Sequence, residues 1–214
     1  MQGAAEAPRD CPLCPRLVAF RATNRGNEPT WHNGAVASFG NADGRLLIVG
    51  LAPGLKGANR TGRPFTGDFA GELLYKTLLE HGFAQGGYEA RPDDGLTLVD
   101  CLITNAVRCV PPENKPTPAE IATCRPFLAE RIAAMPNLAV IVALGRIAHD
   151  STLTALDAKK AKYPFAHGAS HGVKVGLTLF DSFHCSRYNT NTGKLTPEMF
   201  RSVFRAAREH LRGA

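Results

Sequence analysis

Residues 46–82 read LLIVGLAPGLKGANRTGRPFTGDFAGELLYKTLLEHG. An apolar run of strand length opens the stretch and a glycine-dense loop follows. From Asp68 onward the pattern is helical, as far as Gly82, a residue suited to the position just past a helix end. The opening run is continuously apolar rather than alternating. That marks a strand buried on both faces, as in a parallel sheet covered by helices. Three more runs share this character: LTLVDCLIT (96–104), LAVIVALG (138–145) and VKVGLTLFDS (173–182). Helical stretches separate them, so the expected fold is a three-layer α/β/α sandwich around a mainly parallel, four-stranded sheet.

The helices announce themselves locally. Thr117, Pro118 and Glu120 form a capping box with proline at the first helical position. Residues 146–156 give another helix. Thr196 and Pro197 open the last one, whose apolar stripe is Phe200, Val203, Phe204, Ala207 and Leu211. Arg201, Arg205, Arg208 and Arg212 share a different face and read as a solvated basic stripe.

At 214 residues the chain suits one domain spanning 1–214, with residues 1–30 as an N-terminal extension. No apolar run reaches membrane-spanning length, and the N-terminus lacks the basic and apolar regions of a secretory signal, which predicts a cytoplasmic protein. A formal charge of +6 favours a polyanionic partner through counterion release, although basicity alone discriminates weakly. Six cysteines in a reducing compartment do not suggest disulfides. Cys11 and Cys14 form a C-x-x-C pair, and Cys109 and Cys124 complete a four-thiolate set suited to zinc or to a [4Fe–4S] cluster. Spacing does not choose between them. Cys101, inside an apolar run, reads as a small core residue.

In open α/β sheets, sites form beyond the carboxyl ends of strands. Three strands here end in unusual polar sequence: residues 50–68, 104–109 and 184–196. The first loop carries Gly50, Gly54, Gly57, Gly62 and Gly67, which permits close backbone approach to a ligand but matches no phosphate-cradling or dinucleotide fingerprint. Lys56, Arg60 and Arg63 are candidates for backbone phosphates, and Phe65 for stacking on a base. Taken alone, Asp68 needs no explanation beyond an N-cap, Asn105 none beyond a turn, and His184 none beyond a structural role.

Together the segments carry more. GLAPGLKGANRTGRPFTGD (50–68) resembles the first signature of the uracil-DNA glycosylase superfamily, and HCSRYNTNTGKLT (184–196) resembles the second. ITNAVRCVPPENKPTPAEIATCRPFL (103–128) is similar to the segment that its iron–sulfur members carry between them. Relatives with GEAPG have an acid directly after the first glycine, whereas apolar Leu51 stands here, as in the GLAPG of family 5. The resemblance implies catalytic roles for Asp68, Asn105 and His184, and a base pocket of Gly50, Leu51, Ala52, Phe65 and Asn105. It implies DNA contacts from the second loop, chiefly Ser186, Arg187 and Tyr188, and favours [4Fe–4S] over zinc on Cys11, Cys14, Cys109 and Cys124. One departure is Cys185, where the superfamily often has proline; its place near the site makes it a candidate for thiol labelling.

The implied activity is hydrolysis of the N-glycosidic bond of uracil in DNA after base flipping, with hypoxanthine, xanthine and 5-hydroxymethyluracil as further bases. Such cleavage places positive charge on the sugar and negative charge on the departing base. Asn105 can read the Watson–Crick edge, His184 can donate to O2, and Asp68 can face the sugar or its attacking water. No lysine is placed as a Schiff-base nucleophile, so the abasic product should stay uncut. The expected partner is DNA containing deaminated bases, bound by a monomer. The main alternative is a catalytically silent damage-binding protein on the same fold. An iron–sulfur electron carrier lacks any nicotinamide or flavin fingerprint to support it. His149, His167, His171 and His210 stand outside these motifs and read as structural or surface residues.

Overall fold

A computed structural model describes residues 5–213. The N-terminal part holds helix α1 (Pro15–Asn27) and the short strand β1 (Phe39–Gly40). Strand β2 (Leu46–Gly50) leads through the one-turn α2 (Ala58–Thr61) to α3 (Phe69–Glu80). A two-stranded ribbon, β3 (Ala84–Gln85) with β4 (Thr97–Leu98), precedes β5 (Cys101–Asn105). Then come α4 (Pro118–Ala133), β6 (Val140–Leu144), α5 (Arg146–Ala155), β7 (Ser170–Lys174), β8 (Leu177–Ser182), α6 (Arg187–Asn191) and α7 (Pro197–Gly213).

The main sheet has the order β1-β5-β2-β6-β8-β7. Its four inner strands are parallel, as expected, and antiparallel β1 and β7 close the two edges, so the sheet has six strands rather than four. Strand β1 lies outside the apolar runs, whereas two of the runs themselves are broken. In residues 173–182 the chain turns at Val175 and Gly176, the latter at φ 72°, a conformation favouring glycine, and the run splits into a β7–β8 hairpin. In residues 96–104, Asp100 sits at φ 56° and separates β4 from β5.

Alternate residues of the inner strands feed two cores. Leu46, Ile48, Ile103, Val140 and Val142 pack with Leu74 and Leu78 of α3 and with Phe200, Val203 and Phe204 of α7. Leu47, Val49, Leu102, Ile141 and Leu179 pack with Leu128 of α4 and with Ala148 and Leu153 of α5. This two-sided burial is what continuous apolarity predicted. The caps read from sequence are present. Asp68 Oδ1 accepts from Gly71 N at 3.1 Å, the Thr117–Glu120 box is complete, and Thr196 Oγ1 accepts from Met199 N at 3.2 Å.

The arginine face of α7 is less solvated than expected. Arg208 lies 3.7 Å from the Phe83 ring centroid and donates to His81 O, while Arg201 pairs with Glu80 at 2.7 Å. These residues fasten α7 to α3. Chain order reverses at β2, which has β5 on one side and β6 on the other, and a ligand crevice belongs at the carboxyl ends beside such a switch point.

Candidate active site and cysteine centre

A cavity of about 660 Å³ opens at that switch point. Leu51, Ala52, Gly54, Phe65 and Asp68 come to it from the β2–α3 loop, Asn105 from the end of β5, and His184, Ser186 and Arg187 from the segment after β8. All three loops singled out in the sequence thus converge on one space.

Phe65 is held at φ 54°, unfavourable for a bulky residue. Its surroundings impose that conformation. The Tyr75 hydroxyl donates to Pro64 O at 2.6 Å and that of Tyr88 to Phe65 O at 3.3 Å. A side chain at Gly71 would put its Cβ 1.7 Å from Phe65 O, so the first turn of α3 can close over this carbonyl only with glycine there. Across the cavity the Phe65 ring faces His184, with centroids 6.0 Å apart and planes inclined by 29°.

Asn105 is buried, and its Oδ1 has no hydrogen-bond partner among the described residues. A Cβ on Gly50 would lie 2.3 Å from this oxygen and 2.6 Å from Phe65 Cζ, so Gly50 is the only residue that admits both groups. An unpaired buried carbonyl is costly unless a ligand supplies the donor.

Asp68 is both an N-cap and a cavity residue. While Oδ1 takes the Gly71 amide, Oδ2 lies where a Cβ on Gly54 or Gly57 would come within 2.8 or 2.3 Å. Burial pushes its carboxyl up, partly offset by the Gly71 and Ala70 amides, which favour the carboxylate. His184 has no such help, and burial pushes it down to about 4, so its imidazole is neutral at pH 7. Asn189 Nδ2 donates to His184 O at 2.8 Å and braces its backbone.

The second loop contains a helical turn the sequence did not reveal. Ser186 caps α6, accepting from Asn189 N. Arg187 sits over the Phe69 ring at 5.3 Å, and Tyr188 is 74% exposed. Lys56 and Arg60 are likewise at the surface.

Two expectations need correction. Arg63 does not face solvent: its guanidinium makes a bidentate pair with Asp94 at 2.8 and 2.7 Å, with the rings of Phe39, Tyr75 and Tyr88 around it. The pair holds the Asp94 carboxyl well below the carboxylate range, and Arg63 is a structural strut under Phe65 rather than a phosphate contact. Cys185 lies near the site but is fully buried, and burial together with the Asp68 charge drives its thiol far above the usual value, which makes it inert to labelling.

Sequence reasoning missed the β6–α5 junction, where Leu144, Gly145, Arg146 and Ile147 also line the cavity. The signal was there: a glycine directly after a buried strand, here at φ 98°. A neighbouring groove shares Gly145, Arg146 and His184 with the cavity and adds Lys194. Arg146 lies over Phe165 at 5.2 Å and Lys194 over Phe183 at 4.9 Å.

Cys11, Cys14, Cys109 and Cys124 surround one small space with Leu17, Val107 and Phe127. Burial pushes Cys109 up to about 12 and Cys124 up to about 11, so a cation held here would displace their thiol protons. The Arg108 amide points at Cys124 Sγ at 3.3 Å, and Arg21 Nη1 reaches Cys109 Sγ at 3.9 Å. Donors aimed at the sulfurs are what a negatively charged thiolate centre requires. His149, His171 and Asp181 form a separate buried cluster. His149 bonds to Asp181 at 2.7 Å and to Tyr163 O at 2.9 Å, and His171 to Asp181 at 3.1 Å, which places both histidines in structural roles.

Comparison with known proteins agrees with the geometry. The sequence profile of the uracil DNA glycosylase superfamily matches residues 37–208. A type-5 uracil-DNA glycosylase of Thermus thermophilus is 45% identical over 204 residues, 92% of each chain. The type-5 enzyme of Pyrobaculum aerophilum is 39% identical over 92% of this chain and 88% of its own. A type-4 uracil-DNA glycosylase of Thermotoga maritima is 34% identical over 87% of this chain and 81% of its own. With these motifs converging on one cavity, the chain belongs to the uracil-DNA glycosylase superfamily, among its type-5 members.

Proposed function

We propose that the protein excises uracil from DNA by hydrolysing its N-glycosidic bond, and that Asp68, Asn105 and His184 carry the reaction. The observation that carries this reading is the unpartnered Asn105 Oδ1, buried in a cavity shared with Phe65, Asp68 and His184. Uracil N3–H supplies the missing donor, and the Asn105 amide donates to O4. Cytosine offers an acceptor at N3 and would leave the oxygen unpaired, a mismatch that polar pockets reject strongly.

Extrusion of the nucleotide costs a few kcal/mol of stacking, and the Phe65 ring recovers about 1–3 kcal/mol. As the C1′–N1 bond breaks, its electron pair passes to the base and is spread onto O2. Neutral His184 donates a hydrogen bond there without transferring its proton. The Asp68 carboxylate stabilises the cationic sugar and orients water, whose oxygen bonds to C1′. The water proton leaves to Asp68 or to the departing base. An abasic site remains, with the strand intact. Apolar Leu51 beside a roomy cavity supports acceptance of hypoxanthine, xanthine and 5-hydroxymethyluracil as well.

Exposed Lys56, Arg60, Arg187 and Tyr188 supply DNA contacts around the cavity mouth. Cys11, Cys14, Cys109 and Cys124 would hold a [4Fe–4S] cluster that ties residues 1–30 to the β5–α4 connection and takes no part in the chemistry. The same four thiolates would also suit a tetrahedral zinc ion, and the kinship with type-5 enzymes is what favours the cluster. The reading includes a monomer working in the cytoplasm, where no helix of the described chain is long and apolar enough to cross a membrane.

Single-turnover release of uracil from a labelled duplex tests the proposal, comparing the wild type with Asp68→Ala, Asn105→Ala and His184→Ala. Alkali-labile sites from the wild type, with rate losses of tenfold or more in the variants, support it. DNA binding without release of any base would replace it with the silent-binder reading.

A further inference from the structure

On the β1 side of the same sheet edge lies a second groove, of about 490 Å³, outside the catalytic cavity. Arg9, Trp31, His32, Arg60, Arg91 and Pro92 line it, and no carboxylate does. Because β1 runs antiparallel to β5, the residues before Phe39 lie at the carboxyl end of β5, where the catalytic cavity opens. The short helix α2 forms the partition. Its Ala58 lines the cavity, and its Arg60 lines the groove.

The wall is built to keep its shape. His32 N donates to Arg60 O and Asn33 N to Asn59 O, both at 3.0 Å, which zips the segment after α1 onto α2. Arg9 Nη2 donates to His32 O at 2.7 Å, and Arg60 Nε to Lys56 O at 2.9 Å. Each guanidinium is anchored by one nitrogen, and its remaining donors are available to an anion. Arg91 is paired with Glu89 at 2.8 Å and with Asp93 at 3.5 Å, so it is the most compensated of the three.

We infer that this groove is a second DNA subsite, which holds the phosphodiester strand adjoining the flipped nucleotide. Phosphates lie on Arg9, Arg60 and Arg91, and a base or sugar packs on Trp31. A cationic channel with an aromatic platform is the chemistry that binds a strand without reading its sequence. Continuity with the cavity across α2 makes DNA the occupant, and to that extent the inference rests on the glycosylase reading. It also gives the cysteine centre a task. Arg9 lies two residues before Cys11 and Trp31 follows α1, so the segment tied by the thiols forms one side of the subsite.

Trp31 is the only tryptophan of the chain, so its emission reports on this groove alone. The experiment titrates the cluster-loaded protein with uracil-free oligonucleotides, single-stranded and duplex, at several salt concentrations. Affinity is read in parallel from the anisotropy of a labelled strand. Saturable change in Trp31 emission is expected. Arg9→Gln and Arg91→Gln should each weaken binding several-fold and flatten the log–log salt dependence by roughly 0.7–0.9. Trp31→Ala should cost about tenfold in affinity, and Trp31→Phe should restore most of it. Excision at saturating DNA should keep its wild-type rate in all four variants. Emission unmoved by saturating DNA, or a wild-type salt slope in the Arg9→Gln/Arg91→Gln double variant, would overturn the inference. Failure of the glycosylase reading is distinguishable, since it would show as no uracil release from the wild type.

Discussion

Phe65 and His184 face each other across the cavity with ring centroids 6.0 Å apart. They arrive from opposite ends of the site, one on the loop after β2 and the other on the segment after β8. The arrangement can present a stacking surface and a hydrogen-bond donor to the same base. Removing the stacking surface should therefore lower catalysis while leaving the donor in place. We expect Phe65→Ala to reduce single-turnover excision by about tenfold to a hundredfold. Comparison on duplex and single-stranded uracil DNA separates extrusion from stacking, and unchanged rates on both would rule out the role.

Acidity should act through Asp68. Its carboxyl is raised by burial, and the proposed role needs the carboxylate, so the rate should fall as pH is lowered while still above the ordinary carboxylate range. His184, pushed down to about 4, stays neutral throughout that window and adds no second acid limb there. A pH–rate profile of the wild type should show one acid limb, and Asp68→Asn should be slow and flat across it.

The same residue should cost stability at neutral pH. A carboxyl whose folded pKa lies above its unfolded value destabilises the fold when ionised, and that cost fades as pH falls through the raised pKa. Asn also caps helices well, so Asp68→Asn should melt at or above the wild-type temperature at pH 7. The gap should close toward acid pH. A marked loss of melting temperature would show that the carboxylate contributes more as a cap than its burial costs.

Gly50→Ala should abolish excision without unfolding the chain. The added Cβ would meet Asn105 Oδ1 at 2.3 Å and Phe65 Cζ at 2.6 Å, displacing the two groups proposed to receive the base. Circular dichroism and melting would check the fold, and the uracil assay the site. Wild-type excision by this variant would mean that neither group needs its present position.

Arg63→Ala should destabilise the protein by about 1–3 kcal/mol, because Asp94 loses its bidentate partner and keeps only the Glu89 and Leu96 amides. Denaturant unfolding measures the loss. At temperatures where the variant is folded, the salt dependence of DNA binding should match the wild type, which a phosphate contact would not allow.

The sequence by itself determined the inner strands, the caps of three helices and the three loops that meet at the cavity. Continuous apolarity is a local property that reports two-sided burial, and Asp68, the Thr117 box and Thr196 cap through side chains reaching only three residues. Motif order put Asp68, Asn105 and His184 at the ends of three strands, and parallel strands bring such ends together. Tertiary structure alone decided whether a charge faces water. Arg63 and Arg60 sit three residues apart in the same basic loop, yet one is buried on Asp94 and the other is exposed. Asp94, distant in sequence, made that choice. Edge strands β1 and β7 were likewise settled by pairing with β5 and β8, since two to five residues carry too little pattern to read. The dual role of Asp68 has the same origin. Its capping bond is local, but its placement over Gly54 and Gly57 depends on how the loop folds back on α3.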